Sequence, residues 1–340
     1  MKRLLAIALV ASSLFAQTIQ NSHTTENLRG VSAPAPGIVW ASGTHGTYLR
    51  TIDGGAIWKP SQVAGAEALD FRDVEAFDAN LAYLLAAGPG EQSRIYKTTD
   101  GGASWHLQFT NRNPQGFFDC MAFWNRNHGI AVGDPVNGKF ELITTRDGGR
   151  HWKPVDPNAL PSARDGEGAF AASGTCIAVQ GKSDVWFATG GRAARVFHSP
   201  NAGKTWTAVE IPITQGADST GIFSIAFRDA KHGIIAGGDY KQPDKDGRNL
   251  AFTDDGGRTW MLAQIAPQWY FSAVAFSTMP IVDGSPFIAL GSARAAYAVT
   301  VGDKSWKKTW DLNLNAIAVA PDAKAFAVGP KGLIVTLDAP

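Results

Sequence analysis

Cysteine, methionine and charge are all scarce in this 340-residue chain: two cysteines, four methionines and 18% Asp, Glu, Lys and Arg. Two cysteines cannot staple a miniature fold, and a chain of this length does not need one. With a formal net charge of +1, no overall field draws in nucleic acid or an anionic membrane surface. Lysine and arginine form no run or stripe, so nucleic acid is not an expected partner. The histidines, among them His45, His106, His128, His151 and His198, are scattered without ligand spacing, and no metal is expected. No glycine loop leads into a helical pattern as a phosphate cradle would, so no cofactor is expected either.

What the chain does have is 44% hydrophobic residues, 37 glycines and 11 tryptophans, enough for a sizeable core and many tight turns. Its start has the order of an export signal: Lys2 and Arg3, then an apolar run over residues 4–15, then the small Ala16 before Gln17. The run is too short to span a bilayer. The expectation is a cleaved signal peptide over residues 1–16, a single domain over 17–340, and a periplasmic or secreted monomer without a membrane anchor. Cys120 and Cys176 occupy the same register of neighbouring repeats. Export permits a disulfide between them, and two buried thiols are the alternative.

Internal repetition decides the architecture. The segment Thr51-Ile52-Asp53-Gly54-Gly55-Ala56-Ile57-Trp58 recurs at 98–105, 145–152, 199–206 and 253–260, as Ser/Thr-x-Asp-x-Gly-x-x-Trp. The repeated acids are Asp53, Asp100, Asp147 and Asp255, with Asn201 in the fourth copy, and the tryptophans are Trp58, Trp105, Trp152, Trp206 and Trp260. An eroded copy ends at Trp306. A short acidic side chain accepts hydrogen bonds from turn amides, glycine supplies positive φ, and the Trp begins the next strand and buries its ring. These residues are therefore expected to be structural rather than catalytic, because the turn repeats and an active site is usually single.

A second period runs alongside. Strands end in Ala-x-Gly at 41–43, 86–88, 131–133, 188–190, 236–238, 289–291 and 327–329, one copy more than the tryptophans. Repeats of some 40–45 residues or more with four strands each have propeller spacing. Thr336-Leu337-Asp338 is half of a further turn, so the last blade needs a strand from elsewhere, and the segment from Gln17 to His23 is the natural donor. The expected fold is an all-β, seven-bladed β-propeller of four-stranded blades, closed by an N-to-C strand clasp that removes exposed edges.

With these turns, and with blade segments such as His128-Gly129-Ile130-Ala131-Val132-Gly133 and His232-Gly233-Ile234-Ile235-Ala236-Gly237-Gly238, the chain resembles the bacterial Asp-box (BNR-type) propellers. Within them it is most similar to photosystem II stability and assembly factor-like proteins. The resemblance implies a seven-bladed propeller and, for the photosynthetic members, a role as a protein-binding assembly factor; it covers nearly the whole mature chain and brings no individual functional residue with it. The boxes also occur in sialidases and xyloglucan hydrolases. Sialidases are expected to carry an Arg-Ile-Pro motif ahead of the first boxes, and none occurs here.

The turns occupy one face of a propeller, so a site is sought among the loops of the other. The longer loops fall on neighbouring repeats and supply Asp134, Arg164, Glu167, Arg192, Asp218, Asp239 and Tyr240 as candidate binding residues. Each also has a plainer reading: Asp134 and Asp239 as turn starters, Glu167 and Arg164 as a surface pair, Arg192 as a stem over apolar surface. Trp269 and Tyr270 are positioned to stack on a sugar or to pack. The chain reads as a non-catalytic binding or assembly module for a protein partner. The alternative is a glycan-directed protein, lectin-like or a divergent glycoside hydrolase.

Overall fold

In the computed structural model, residues 17–263, 269–281, 285–291, 296–300 and 307–337 are described. The expected leader, Trp306 and Asp338 lie outside them. The protein is an all-β propeller in which antiparallel blades are built strand by strand along the chain. The first blade is Leu28–Ala35, Ile38–Gly43, Thr47–Thr51 and Lys59–Gln62. The second is Phe71–Ala76, Ala82–Ala86, Arg94–Thr98 and His106–Thr110. The third is Phe118–Asn125, His128–Val136, Lys139–Thr145 and Lys153–Pro154. The fourth is Ile177–Gln180, Asp184–Ala188, Arg195–Ser199 and Thr207–Glu210. Another four-stranded blade starts at Ala273–Ile281.

The closing sheet joins the two ends of the described chain. Gln17–Gln20 pairs antiparallel with Ile334–Leu337, beside Ala325–Val328 and Ala316–Val319. Burial falls from the axis outward. Innermost strands such as Phe118–Asn125 are largely buried on both faces and read as near-continuous apolar runs, whereas the outer Lys59–Gln62 is wholly exposed.

The expectation of seven four-stranded blades is overturned. Among the described residues six sheets have four strands, and one has six: Glu167–Gly168, Gly190–Gly191, Thr220–Phe227, Gly233–Asp239, Leu250–Thr253 and Met261–Leu262. Two short segments, read from the sequence as loops, pair instead on the inner edge of Thr220–Phe227. Glycine makes this possible. A Cβ on Gly221 would lie 2.2 Å from Gly190 Cα, a separation no side chain tolerates.

The repeated turn has one geometry in five places. Thr51 Oγ1 donates to Asp53 Oδ1 at 2.6 Å and accepts the Gly55 amide at 3.0 Å, while Asp53 Oδ1 accepts the Ile57 amide at 3.0 Å. The same three bonds recur around Asp100, Asp147, Asn201 and Asp255. Asparagine substitutes because only its carbonyl oxygen is needed. Each turn delivers its tryptophan onto the preceding sheet. Trp58 packs with Phe326 of the closing sheet, Trp105 against Trp40 and Tyr48 of the first blade, and Trp152 among second-blade residues. Trp206 and Trp260 do the same against the third and fourth blades.

Cys120 and Cys176 form a disulfide, with Cα atoms 6.0 Å apart and a sequence separation of 56. It ties the innermost strand of the third blade to the chain entering the fourth, inside a core with Ile130, Phe140 and Phe187. Closing a loop of this length stabilises a fold by about 4 kcal/mol in the chain-entropy account. Replacing both cysteines by serine is expected to lower unfolding free energy by an amount of that order, read as a fall in the denaturant midpoint. An unchanged midpoint would show that the neighbouring packing alone fixes this junction.

Candidate functional site

In each of the five sheets that carry it, the repeated turn joins the last two strands. The connections from second to third strand, and from blade to blade, therefore emerge on the opposite face. There the segment after Gly168 does not stay on the surface but crosses the mouth of the central channel. The Ala169 amide donates to Asp134 Oδ1 at 2.9 Å, and the Ala171 carbonyl accepts from Arg72 Nη1 at 3.1 Å. Ser173 Oγ donates to the Ser272 carbonyl at 3.0 Å, and Thr175 and Ser224 share a 2.6 Å hydroxyl bond. Gly174 runs tight against Asp73: a Cβ there would fall 2.3 Å from the carboxylate. The disulfide at Cys176 anchors the end of this plug.

Beside the plug lies a cavity of about 740 Å³ whose lining includes Asp134, Arg164, Asp165, Glu167, Phe170 and Asp218. Four of the seven residues singled out in the sequence thus meet around one space. Asp134 is mostly buried, and burial pushes its carboxyl up to about 6. Arg164 reaches away to Glu210, at 2.7 Å. Arg192 stands between Asp165 and Asp218, at 3.6 and 4.0 Å, three exposed side chains whose mutual attraction is screened by water.

Glu167 plays a different part from the one its sequence position suggested. Its carboxylate is wholly buried and accepts from Arg195 Nε at 2.9 Å, Thr189 Oγ1 at 2.6 Å and the Arg164 amide at 2.8 Å, with Arg195 Nη2 on its second oxygen. The anticipated surface pair with the Arg164 side chain is replaced by this buried fork, so Glu167 has no acceptor position left for a ligand. Asp239 is also buried and caps its own loop, accepting from the Lys241 amide at 3.0 Å and from Gln242 Nε2 at 3.2 Å. Tyr240 is half exposed and meets Phe223 edge-on; Phe223 in turn stacks on Phe170 at 4.0 Å and contacts Tyr270. Tyr270 is buried in this aromatic cluster rather than displayed.

Several charged groups at the mouth were not singled out from the sequence: Arg72, Asp73, Glu75 and Asp119. Their signal was present, as charge inside otherwise apolar innermost strands, Phe71-Arg72-Asp73-Val74-Glu75 and Phe118-Asp119-Cys120. Burial, reinforced by the negative charge of Asp134, holds the Asp119 carboxyl well above the ordinary range, and its Oδ2 meets no partner among the described residues. Burial also raises Asp73, and it brings Glu75 up to about 8. Among the described residues no three His, Cys, Asp or Glu gather as a metal site, and no helix is long and apolar enough to cross a membrane.

No protein-family model and no curated protein matches the chain. Solved structures do resemble it. A YCF48 bound to a D1 peptide superposes with a TM-score of 0.66 at 17% identity, over 99% of this chain and 100% of that one. YCF48 from Cyanidioschyzon merolae gives 0.65 at 18% identity, over 95% and 98%. The GH74 enzyme of Niastella koreensis gives 0.65 at 16% identity over 94% of this chain, which spans 53% of that longer protein. At these identities the likeness is one of fold.

Two measurements bear on this geometry. Glu167→Ala leaves Arg195 charged, buried and unpaired, so unfolding free energy is expected to fall by about 3–5 kcal/mol; a change below about 1 kcal/mol, the scale of an exposed pair, would contradict the burial described. Asp134 titrates in the opposite sense from a salt-bridged carboxylate. Its folded-state value, about 6, lies above the ordinary 3.8, so the protonated form is favoured in the fold and stability is lost as pH rises through this interval. Asp134→Asn is expected to melt higher than the parent at pH 7.5 and level with it at pH 4, a difference on the order of 2–3 kcal/mol. Parallel melting curves at both pH values would refute it.

Proposed function

We propose that this protein is a non-catalytic binding or assembly propeller of the cell envelope or secreted fraction, which captures a protein partner on the face opposite the repeated turns. The observation that carries the reading is the convergence of Asp134, Arg164, Asp165 and Asp218 around one open cavity, beside a channel mouth crossed by the plug. A wide, shallow, polar rim over a filled channel suits a flexible chain laid across it better than a small molecule enclosed in a cleft. The likeness to a YCF48 holding a D1 peptide supports a protein segment as the class of partner; the D1 peptide itself belongs to that protein. A cross-linked Cys120 and Cys176 favours an oxidising compartment, in keeping with the export signal read from residues 1–16. We read the five turns as Asp boxes, structural in every copy.

The GH74 neighbour motivates a second reading, in which the cavity takes a glycan. One experiment separates the two. The mature chain is used as bait on a solubilised envelope fraction, beside a variant carrying Asp134→Ala, Arg192→Ala and Asp218→Ala. A specific protein is expected to be recovered on the parent and depleted about tenfold or more on the variant, as for loss of an interface centre. Equal recovery on both would refute the placement of the surface, and hydrolysis of a polysaccharide panel by the parent but not the variant would establish the glycan reading instead.

A further inference from the structure

Two carboxylates line the cavity beside the plug from below its rim, and they are treated differently by the fold. Glu167 is neutralised by the Arg195 guanidinium through both of its oxygens. Asp134 is mostly buried as well, yet no cation of the described residues holds its charge: burial raises the carboxyl, and the Ala169 amide alone acts against that. The cations around the mouth are engaged elsewhere. Arg164 turns to Glu210, Arg192 stands between Asp165 and Asp218, and Arg72 bonds Asp70 and the plug. Asp119, on the innermost strand of the same blade, adds a second acid beside Asp134. Buried carboxylates are as a rule paired, so an unpaired one at a cavity wall calls for a reason.

Unlike Asp119, Asp134 is within reach of a ligand. Its Oδ1 accepts the Ala169 amide at 2.9 Å. Its Oδ2 makes no hydrogen bond among the described residues and is not sealed from solvent, and the residue is part of the wall of the 740 Å³ cavity. Phe117, Pro135 and Phe170 give the same wall its apolar part, each of them partly exposed. An acid beside partly exposed aromatic rings is complementary to a long apolar stem that ends in a positive charge. One open oxygen is a single point of attachment. It suits the compact, rotatable ammonium of lysine better than the flat two-pronged fork of arginine.

We infer that the cavity seats a lysine side chain of the captured protein segment, its stem against Phe117 and Phe170 and its ammonium on Asp134 Oδ2. Asp165 and Asp218, both exposed and already sharing Arg192, draw positive charge toward the mouth without fixing its position. The inference rests on the protein-binding reading above and names the side chain that surface selects. Capture across the wider rim does not require the ammonium, so this inference can fail while that reading stands.

The probe is a capped alanyl-lysyl-alanine amide, titrated at physiological ionic strength into the ¹⁵N-labelled mature chain while the Ala169 amide resonance is followed. A saturable shift is expected at pH 7.5, and none with the norleucyl counterpart, which keeps the stem without the charge. Asp134→Asn retains an acceptor for the Ala169 amide and is expected to weaken binding about tenfold or more, the loss of a charge-assisted hydrogen bond. Between pH 7.5 and pH 5 the parent is expected to lose about tenfold in affinity as Asp134, titrating at about 6, takes up its proton. The arginyl counterpart is expected to bind more weakly. No saturable shift in the parent, equal affinity for the norleucyl or arginyl peptide, equal affinity in Asp134→Asn, or a parent affinity flat across this pH interval overturns the inference.

Discussion

The structure depends on a local constraint that acts at long range: a Thr or Ser hydroxyl holds an Asp or Asn, and that residue holds the amide four positions on. Three short bonds set the angle at which the chain re-enters the sheet, and with it the placement of the following tryptophan. Because Trp58, Trp105, Trp152, Trp206 and Trp260 each reach the preceding sheet, a turn that looks like surface decoration is the coupling between blades. Strand side chains of neighbouring blades pack beside these tryptophans, and a blade buries its flat faces only against its neighbours. Loosening one turn would disturb two sheets, its own and the one its tryptophan covers.

The parts of the fold legible in the sequence are those whose chemistry is local. Thr98, Asp100, Gly102 and Trp105 lie within eight consecutive residues, and their roles follow from turn geometry alone. The six-stranded sheet was not legible, because it rests on the meeting of Gly190 with Gly221, distant in sequence, and on a two-residue pairing at Glu167. Strands that short carry no alternation to recognise. Loop length pointed to the region of the cavity, yet not to the state of its residues. Arg195, which neutralises Glu167, sits inside a strand that reads as apolar, and sequence gives no partner for a buried charge 28 residues away. Asp119 and Arg72 stayed hidden for the same reason: one charged residue in an apolar run looks like an outward-facing position until the inner wall of a ring is in view.

The plug and the cavity form one continuous design. The hairpin at 134–139 borders the cavity, and its Asp134 also holds the plug through the Ala169 amide. A partner that disturbs this hairpin acts on the same backbone bond. The buried acids beneath, Asp73, Glu75 and Asp119, sit in surroundings that favour their neutral forms. The interior of the mouth is consequently less negative than its formula suggests, and the charge a partner meets is that of the rim.

The closing sheet has a mechanical corollary. Gln17 lies opposite Leu337 and Gln20 opposite Ile334, so the two end strands run antiparallel with their outer ends side by side. A force drawing those ends apart loads the ladder one rung at a time, as a zipper is opened, rather than shearing all four pairs together. Tension between attachments at the two ends would therefore open the ring at this seam under modest load, while the blades remain intact.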